Sequence, residues 1–441
     1  MNDKVFYRNL RKSYKMVARA KGVYLYDTEG KRYLDGCGGN TVVNVGYGVE
    51  EIIEAIYAQM KETSFAHTSR FTSKVQETLA EKIVQLSPKG MAKVYFLSGG
   101  SEATEAALKM ARQFHLETGN SQKYKIVSRW QSYHGNTIGA LSMSGRSLRR
   151  KNYIPFLLDF PHIVPSYCYR CPLHKEYGTC GIECAYELER VIKQEGPENI
   201  SAFISEPVGG SSLAGVYPPI EYYKIVREIC DRYQVLMIMD EVMTGFGRTG
   251  RNFGIDHWGV VPDMIAVGKG MTSGYAPAGG LIVHEKVVNA LLKGSGMFAH
   301  GHTFVGNPLT CAAALAVQTY IEKHDLITQS ERGGELLMRK LKEALDSDIV
   351  GDIRGKGLFI GVEFVKDRKT KEPFDREKKF ADTFGDLAFE KGLHILSGFG
   401  NADGVSGDHI LIAPPYIISE KEMDELVAIL KETLSELERR L

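Results

Sequence analysis

The sequence predicts an α/β fold with a mainly parallel sheet covered by helices on both faces, together with a smaller α+β lobe. From about Ser73 onward, short apolar segments of strand length alternate with amphipathic helical patterns. Repeated alternation of this kind is typical of parallel sheets. The chain also has 441 residues, more than one core usually accommodates. We therefore expect a second, smaller lobe beside the main sheet.

The predicted elements follow in order along the chain. Residues 22–35 alternate apolar and polar side chains around Thr28-Glu29-Gly30, which predicts a β-hairpin. A long helix is predicted after Asn307-Pro308, and the capping-box spacing of Ser419 and Glu422 predicts a last helix. Further strands are predicted at residues 93–97, 124–127, 200–204, 235–239, 263–267 and 358–364.

These elements suggest a division of the chain into three segments. We expect residues 1–60 to form the N-terminal part of the small domain and residues 61–325 to form the large domain. Residues 326–441 are then the C-terminal part of the small domain. The small lobe is thus expected to contain both ends of the chain.

The composition limits the classes of partner. Lys and Arg total 55 against 54 for Asp and Glu, so the charge balance favours neither nucleic acid nor an anionic membrane. Residues 1–22 lack the apolar segment of a secretory signal, and no apolar run has the length of a membrane span. Seven cysteines are too few for a disulfide scaffold, and the odd number fits a reducing compartment. We expect a cytoplasmic protein that binds small molecules.

Three predicted strands end at ionisable side chains. Glu206 follows the strand at 200–204, Asp240 the strand at 235–239, and Lys269 the strand at 263–267. In a parallel α/β sheet, ligands bind outside the carboxyl ends of the strands. Two carboxylates and an amine are therefore expected to face one crevice.

A fourth strand end has the features of a phosphate site. The strand at 93–97 leads into Gly99, Gly100 and Ser101, and a helix is predicted directly afterwards. Glycines allow close backbone approach, and a helix N-terminus offers free N–H groups to an anion. The segment lacks the G-x-x-x-x-G-K-[ST] pattern, so a nucleoside-triphosphate P-loop is not supported.

A second glycine-rich segment resembles the dinucleotide fingerprint. Residues 245–250 fit G-x-G-x-x-G and follow a strand. The next residues contain Gly and Pro where that fingerprint requires a helix packed on the sheet. A nicotinamide site is therefore not expected.

The ordered motifs of the whole chain resemble the class III aminotransferases of pyridoxal 5′-phosphate (PLP) fold type I, also called the ω-aminotransferase group. The resemblance implies a large domain with a mainly parallel seven-stranded sheet and a small α+β lobe made from both termini. The matching motifs are Gly30 to Leu34 with Asn44 to Gly46, Ser98 to Ala103, Tyr133 to Gly135, Glu206-Pro207, Asp240 to Val242 with Gly245 to Gly250, Gly268 to Gly270 with Pro277 and Gly279, His302-Thr303, Arg354 to Leu358 and Pro414-Pro415.

The resemblance assigns roles to these residues. Lys269 would be the Schiff-base lysine and proton carrier, and Asp240 would keep the pyridine nitrogen of PLP protonated. Tyr133 would stack on one face of the ring and Val242 on the other, and Tyr133 is also counted with the catalytic residues. The remaining candidate cofactor contacts are Gly99, Gly100, Ser101, His134, Glu206 and Thr303.

Several of these residues have a simpler structural interpretation. Lys269 could be a surface lysine, and Asp240 a helix cap. Glu206 could pair with a nearby arginine, and Tyr133 and Val242 could be plain packing. No metal is assigned to the site.

The implied reaction is transamination. An amino group would pass from a primary amine, an ω-amino acid or a β-amino acid to a 2-oxo acid such as pyruvate or 2-oxoglutarate. A racemase, epimerase or lyase on the same scaffold is the alternative, because these reactions begin in the same way. A PLP-binding protein without turnover is also conceivable. In the family, Thr303 reaches the phosphate of the neighbouring subunit, which implies a homodimer with shared active sites; a tetramer is the alternative.

The sequence departs from the family pattern at two places that bear on substrate binding. Met243 stands where several members have a glutamine. Many members also have an arginine shortly before the Pro-Pro pair, whereas this sequence has no arginine between Arg376 and Arg439. The acceptor carboxylate needs another partner. The candidates are the basic residues Arg146, Arg149, Arg150 and Lys151, although such a run is often only a solvated face.

Two further features have two interpretations each, and a third expectation concerns the pocket. The glycine-rich residues 398–404 are expected to form either a mobile loop over the pocket or an ordinary surface loop. The pocket is expected to include Asn40, Phe65 and Tyr153, from two subunits. Free or occasionally oxidised thiols are one interpretation of the cysteine cluster, and a structural zinc site is the other. The cluster consists of Cys168, Cys171, Cys180 and Cys184, with His174 between them.

Overall fold

The computed structural model describes residues 4–441. A seven-stranded sheet forms the centre of the large lobe, and six of its strands run in the same direction. The strand Gly279–His284 is antiparallel to both of its neighbours. In spatial order the strands are Met91–Leu97, Gly279–His284, Met264–Gly268, Leu236–Asp240, Ile200–Ser205, Lys125–Arg129 and His162–Ile163. The predicted α/β fold with a mainly parallel seven-stranded sheet is confirmed.

The sheet is apolar on both faces because helices cover both. Ala202 and Ile238 lie in the core on one face, whereas their chain neighbours Phe203 and Met237 lie in the core on the other face. Successive side chains of a strand point to opposite faces, so strands that are covered twice need continuous apolar runs. This explains why the sequence pattern of these strands is a short apolar run and not an alternation.

Two small sheets form the second lobe. The N-terminal sheet consists of Val17–Lys21, Tyr24–Asp27 and Arg32–Asp35, and it is completed by the parallel strand Leu393–His394 from the C-terminal part of the chain. The C-terminal sheet has the order Val350–Gly355, Ile360–Phe364, Asp408–Ile412 and Leu396–Phe399.

One hydrophobic core unites the two ends of the chain in this lobe. It includes Leu34 and Ile52 from the N-terminal part and Leu337, Phe384 and Leu426 from the C-terminal part. The small α+β lobe is therefore made from both termini. We propose the division into segments 1–60, 61–325 and 326–441 on this basis.

The helices begin and end where the local sequence provides caps. Asn307 accepts a hydrogen bond from the Thr310 N–H at 3.1 Å, and Pro308 occupies the first turn. Ser419 and Glu422 form the predicted capping box. The α-helices are Gly38–Thr41, Glu50–Glu62, Lys74–Leu86, Gly100–Glu117, Ile138–Met143, Ser147–Arg150, Glu183–Glu195, Tyr222–Arg232, Glu285–Lys293, Pro308–Lys323, Leu326–Ala344, Phe380–Glu390 and Glu420–Glu438. The 3-10 helices are Ile154–Phe156, Cys168–Arg170, Gly254–Trp258, Lys269–Met271 and Arg376–Lys378.

The second glycine-rich segment has a structural role. After residues 245–250 the chain forms only the short 3-10 helix Gly254–Trp258, so the helix of a dinucleotide site is missing, as the sequence predicted. Within the segment, the fully buried Arg248 donates to the Asn44 Oδ1 atom at 2.7 Å and to the Pro414 carbonyl at 2.7 Å. Arg248 thereby links the large lobe to both parts of the small lobe.

No helix among the described residues is long and apolar enough to cross a membrane.

Candidate active site

A cavity of about 490 Å³ opens at the carboxyl ends of the parallel strands. This position follows from the topology, since parallel strands all end at the same edge of the sheet. Nine of the candidate residues line the cavity. They are Gly99, Gly100, Ser101, Tyr133, His134, Glu206, Asp240, Val242 and Lys269. The strand-end residues named from the sequence are therefore brought together in one place.

Lys269 lies at the end of the strand Met264–Gly268 with a backbone φ of 42°. This left-handed conformation is costly for a residue with a side chain and is often found at functional sites. The Nζ atom donates to the Thr41 Oγ1 atom at 3.4 Å. Burial lowers the pKa of Lys269 to about 8, against the opposing influence of Asp240 and Glu206. A lowered pKa means that a larger fraction of the amine is neutral near neutral pH than for an ordinary lysine.

Asp240 ends the neighbouring strand and is held by two donors. The His134 Nδ1 atom lies 2.7 Å from the Asp240 Oδ2 atom, and the Val242 N–H donates to Oδ1 at 3.1 Å. Both side chains are buried. Because the carboxylate accepts from Nδ1, the imidazole must have its proton on that nitrogen. His134, expected as a cofactor contact, therefore acts directly on Asp240, and it also lines the cavity.

Glu206 is the second carboxylate of the cavity. Its Oε1 atom accepts from the Gly210 N–H at 2.9 Å, and its Oε2 atom accepts from the Tyr133 N–H at 3.3 Å. Burial raises the pKa of Glu206, and the charge of Asp240 adds to this effect. Arg129 donates to the backbone carbonyl of Glu206 at 2.5 Å. Among the described residues, no arginine forms an ion pair with the Glu206 side chain, which instead accepts from the backbone N–H of Tyr133 and so fixes its position.

The segment Gly99 to Ser101 forms the predicted cradle at the N-terminus of the helix Gly100–Glu117. A Cβ atom on Gly100 would lie 2.7 Å from the Val242 Cγ1 atom, and one on Gly135 would lie 2.7 Å from the Ser101 Oγ atom. Glycine is therefore required at both positions. Ser101 Oγ accepts from the Asn136 N–H at 3.1 Å, so its own proton is free to donate to an anion.

Comparison with known proteins decides the family. A model of the aminotransferase class-III family matches residues 6–434. This chain belongs to the class-III aminotransferases. It is 41% identical over 433 residues to the uncharacterized aminotransferase YodT of Bacillus subtilis, with 98% of this chain and 97% of YodT covered. The predicted family membership is confirmed, and the chain is a PLP-dependent aminotransferase.

Two further relatives have named substrates. The putrescine–pyruvate aminotransferase of Pseudomonas aeruginosa is 34% identical, covering 96% of this chain and 91% of that protein. The diaminobutyrate–2-oxoglutarate transaminase of Halomonas elongata is 36% identical, covering 94% of this chain and 88% of that protein.

Solved structures confirm the fold. A Bacillus anthracis aminotransferase superposes with a TM-score of 0.92 at 38% identity, covering 98% of this chain and 96% of that chain. An amine transaminase from an uncultivated Pseudomonas species in the PLP-bound form superposes with a TM-score of 0.90 at 33% identity, covering 99% and 98% of the two chains. PLP is therefore the cofactor of this fold, and the expected fold type I is confirmed.

The side chains of the cavity fit PLP. Its phosphate requires N–H donors without steric hindrance, and the glycines and Ser101 of the cradle provide them. Its aldehyde requires an amine with a neutral fraction, and Lys269 is the one cationic side chain that lines the cavity among the described residues. Its ring nitrogen requires an acid, and Asp240 is held ready by His134.

Other candidate residues lie outside the cavity of this chain. Thr303 is exposed and is not part of the lining. Phe65 and Tyr153 are exposed as well, by 44% and 50%, so they contact a substrate only if a second subunit or a movement brings them close. Asn40 and Met243 do line the cavity. A thioether is at best a weak acceptor, so Met243 cannot donate a hydrogen bond as a glutamine would.

The basic residues after the Tyr133 motif fall into two groups. The Arg149 Cζ atom lies 5.8 Å from the centroid of the Tyr133 ring, and the Arg146 Cζ atom lies 5.5 Å from that of Phe399. Burial, with the nearby charges of Arg149 and Arg8, lowers the pKa of Arg146 to about 10. In contrast, Arg150 donates to the Ser144 carbonyl at 2.8 Å and is structural, and Lys151 is exposed.

The glycine-rich loop at 398–404 lies beside these arginines. The Gln131 Nε2 atom donates to the carbonyls of Gly400 and Asn401 at 3.1 and 2.9 Å. Within the loop, the Gly404 N–H donates to the Gly400 carbonyl at 2.9 Å. The loop therefore has a defined, hydrogen-bonded form next to the chain segment that leads to Tyr133.

The four clustered cysteines have free thiols. Burial and the proximity of Cys184, Cys171 and Cys180 raise the pKa of Cys168 to about 11. Among the described residues, no three ligand atoms from these sulfurs and His174 all lie within 4.8 Å of one another.

Sequence reasoning missed two residues that contact the candidates. Thr41 accepts from Lys269 and adopts a left-handed φ of 55° two residues after Gly39. Arg129 lies at the end of the strand Lys125–Arg129. The position of Arg129 at a strand end was a usable signal, whereas Thr41 is 228 residues from Lys269 and had none.

Proposed function

We propose that this aminotransferase transfers the amino group of an aliphatic primary amine, an ω-amino acid or a β-amino acid to a 2-oxo acid, with Lys269 as the Schiff-base lysine. The observation that supports this most strongly is a buried amine with a pKa of about 8 in a cavity that also contains Asp240. PLP, when bound, withdraws electrons from the substrate carbon and accepts the amino group.

The residues of the chain have separate tasks in this proposal. Lys269 is partly neutral, so its Nζ atom can accept a proton from the substrate carbon and return it. Asp240 stabilises positive charge on the ring nitrogen, and the hydrogen bond from His134 fixes its orientation. Tyr133 and Val242 line the same cavity and are proposed to hold the ring between them. Glu206 fixes the backbone of Tyr133.

The walls of the cavity support the choice of donor. Beyond the ionisable residues, apolar side chains make up much of the lining, including Val42, Val208, Met243 and Pro277. An alkyl chain gains free energy by leaving water for such a surface. The named relatives act on putrescine and diaminobutyrate, which both have an amino group on an alkyl chain.

The donor can be tested without an acceptor. We expect that a diamine added to the holoenzyme converts bound PLP into a stoichiometric amount of pyridoxamine 5′-phosphate, measured by chromatography after denaturation. Pyruvate or 2-oxoglutarate should then restore PLP. A racemase or lyase would leave PLP unchanged after turnover, and that result would contradict the proposal.

We propose Arg146 and Arg149 as the partners of the acceptor carboxylate. Both are partly buried near Tyr133. Arg149 and Arg8 are like charges near Arg146, and Arg8 is a like charge near Arg149, whereas Glu206 acts on Arg146 in the opposite sense. Like charges in a partly desolvated place repel one another, and an anion relieves this repulsion. This would replace the arginine that the family often has before the Pro-Pro pair.

Replacing Arg146 or Arg149 with glutamine is expected to raise the KM for 2-oxoglutarate by about 10–100-fold with little change in kcat, because a charged hydrogen bond to the carboxylate is lost. The measurement is steady-state kinetics with 2-oxoglutarate and with an aldehyde acceptor that has no carboxylate. Lys151→Gln serves as the control, since Lys151 is exposed. An equal rise in KM for both acceptors would contradict the assignment.

A further inference from the structure

Three side chains behind the active-site cavity form a compact cluster of possible metal ligands. Asp35 ends a strand of the N-terminal sheet, His394 ends the strand that pairs with it, and Cys37 lies in the following loop. Among residues 4–441 they are the only group of three His, Cys, Asp or Glu residues whose ligand atoms all lie within 4.8 Å of one another. None of the three lines the cavity.

The three distances match the face of a tetrahedron. The Cys37 Sγ atom lies 3.7 Å from the Asp35 Oδ1 atom and 3.7 Å from the His394 Nδ1 atom. The His394 Nδ1 atom lies 3.5 Å from the Asp35 Oδ1 atom. Ligands at ordinary zinc bond lengths in a tetrahedral site are separated by about 3.4–3.6 Å. The cluster is therefore close to the required geometry without a change in the backbone.

We propose that Asp35, Cys37 and His394 bind one Zn²⁺ ion, with water as the fourth ligand. Sulfur, imidazole nitrogen and carboxylate oxygen are the three ligand types that zinc prefers in proteins. Binding replaces the thiol proton of Cys37 by the metal and releases that proton to solvent, without oxidation or reduction. Asp35 and Cys37 are fully buried, whereas the side chain of His394 is 36% exposed, so the ion and its water approach from the side of His394.

The contacts around the cluster already resemble those that orient metal ligands. The Tyr47 hydroxyl donates to the Asp35 Oδ2 atom at 2.6 Å, and the Gly39 N–H donates to the Oδ1 atom at 2.9 Å. Such hydrogen bonds fix the orientation of a ligating carboxylate. The Cys37 N–H also donates to Oδ1, at 3.3 Å, and the Cys37 Sγ and His394 Nδ1 atoms lie on the side of Oδ1 from which the ion would bind.

The site would connect the metal to the active-site loop. Residues 37–42 lead from the cluster to Asn40 and Val42, which line the cavity, and to Thr41, which accepts from Lys269. A bound ion would join this loop to the strand Leu393–His394, from a distant part of the chain. Zinc is therefore expected to stabilise the wall of the cavity from behind, while PLP and substrate bind on the inner side.

The test measures zinc directly. Untagged holoenzyme is treated with a chelator, reconstituted with Zn²⁺, dialysed and analysed for zinc per chain by mass spectrometry. We expect one equivalent in the wild type and in the double variant Cys168→Ser, Cys171→Ser. None should remain in Cys37→Ser or in His394→Gln. Retention of the full equivalent in both latter variants, or no zinc in the wild type, would overturn the proposal.

A second measurement covers the case in which Cys37→Ser fails to fold. Co²⁺ bound to a thiolate has a charge-transfer band in the near ultraviolet, read as a difference spectrum between holoenzyme with and without Co²⁺. The band should appear in the wild type and disappear in His394→Gln, whose substituted side chain is partly exposed. A band of equal intensity in His394→Gln would overturn the proposal. PLP content and the thermal midpoint confirm that each variant is folded.

Discussion

Lys269→Ala is expected to lower kcat for transamination by about 10³–10⁴-fold, because under the proposed assignment the variant loses both the amine that binds PLP covalently and the base that moves the proton. The cavity offers no replacement, since Lys269 is the one cationic side chain in the lining among the described residues. The measurement is steady-state kinetics with a diamine donor, a 2-oxo acid acceptor and saturating PLP.

The control for this variant is Lys93→Ala. Lys93 is exposed on the edge strand Met91–Leu97, so its removal should leave kcat unchanged. If Lys269→Ala retained more than about a tenth of the wild-type rate, the general-base role would be wrong. The fall in rate would not be explained by unfolding of the variant. Burying the amine of Lys269 costs free energy of desolvation, and the alanine removes this cost.

Asp240→Asn is expected to lower kcat by about 10²–10³-fold with the fold preserved. The asparagine keeps the size of the side chain and can still accept from His134, but it cannot balance positive charge on the ring nitrogen. The measurement is kcat together with PLP content, since the rate should fall far more than cofactor binding.

The matched control for Asp240→Asn is Asp256→Asn. Asp256 is a carboxylate of the same size outside the cavity, and its Oδ2 atom accepts from the Phe253 N–H at 2.9 Å in a local cap. Its replacement should change stability slightly and kcat not at all. Equal kcat values for wild type and Asp240→Asn would contradict the assigned role of Asp240.

The sequence was most informative at the ends of the buried strands. Glu206, Asp240 and Lys269 each follow an apolar run, and the common edge of a parallel sheet brings them together, as the structure shows. The cradle at Gly99 to Ser101 was predictable for a similar reason, since a strand, two glycines and a helix follow in direct succession. In both cases the signal is local in the chain.

Elements that depend on distant pairing were not predictable. The strand Gly279–His284 was not assigned, because it begins with two glycines and lies antiparallel between strands that are far apart in the sequence. The strand Leu393–His394 has only two residues and exists by pairing with Arg32–Asp35. The cluster of Asp35, Cys37 and His394 depends on this pairing, so no spacing in the sequence indicated it.

The central claim is the covalent bond between PLP and the Nζ atom of Lys269, and borohydride reduction tests it most directly. Reduction of the holoenzyme followed by trypsin digestion should give a pyridoxyl group on the peptide of residues 252–286, because trypsin cannot cut after a modified Lys269. Mass spectrometry locates the group. A label on another lysine, or an unlabelled protein that still contains PLP, would contradict the account.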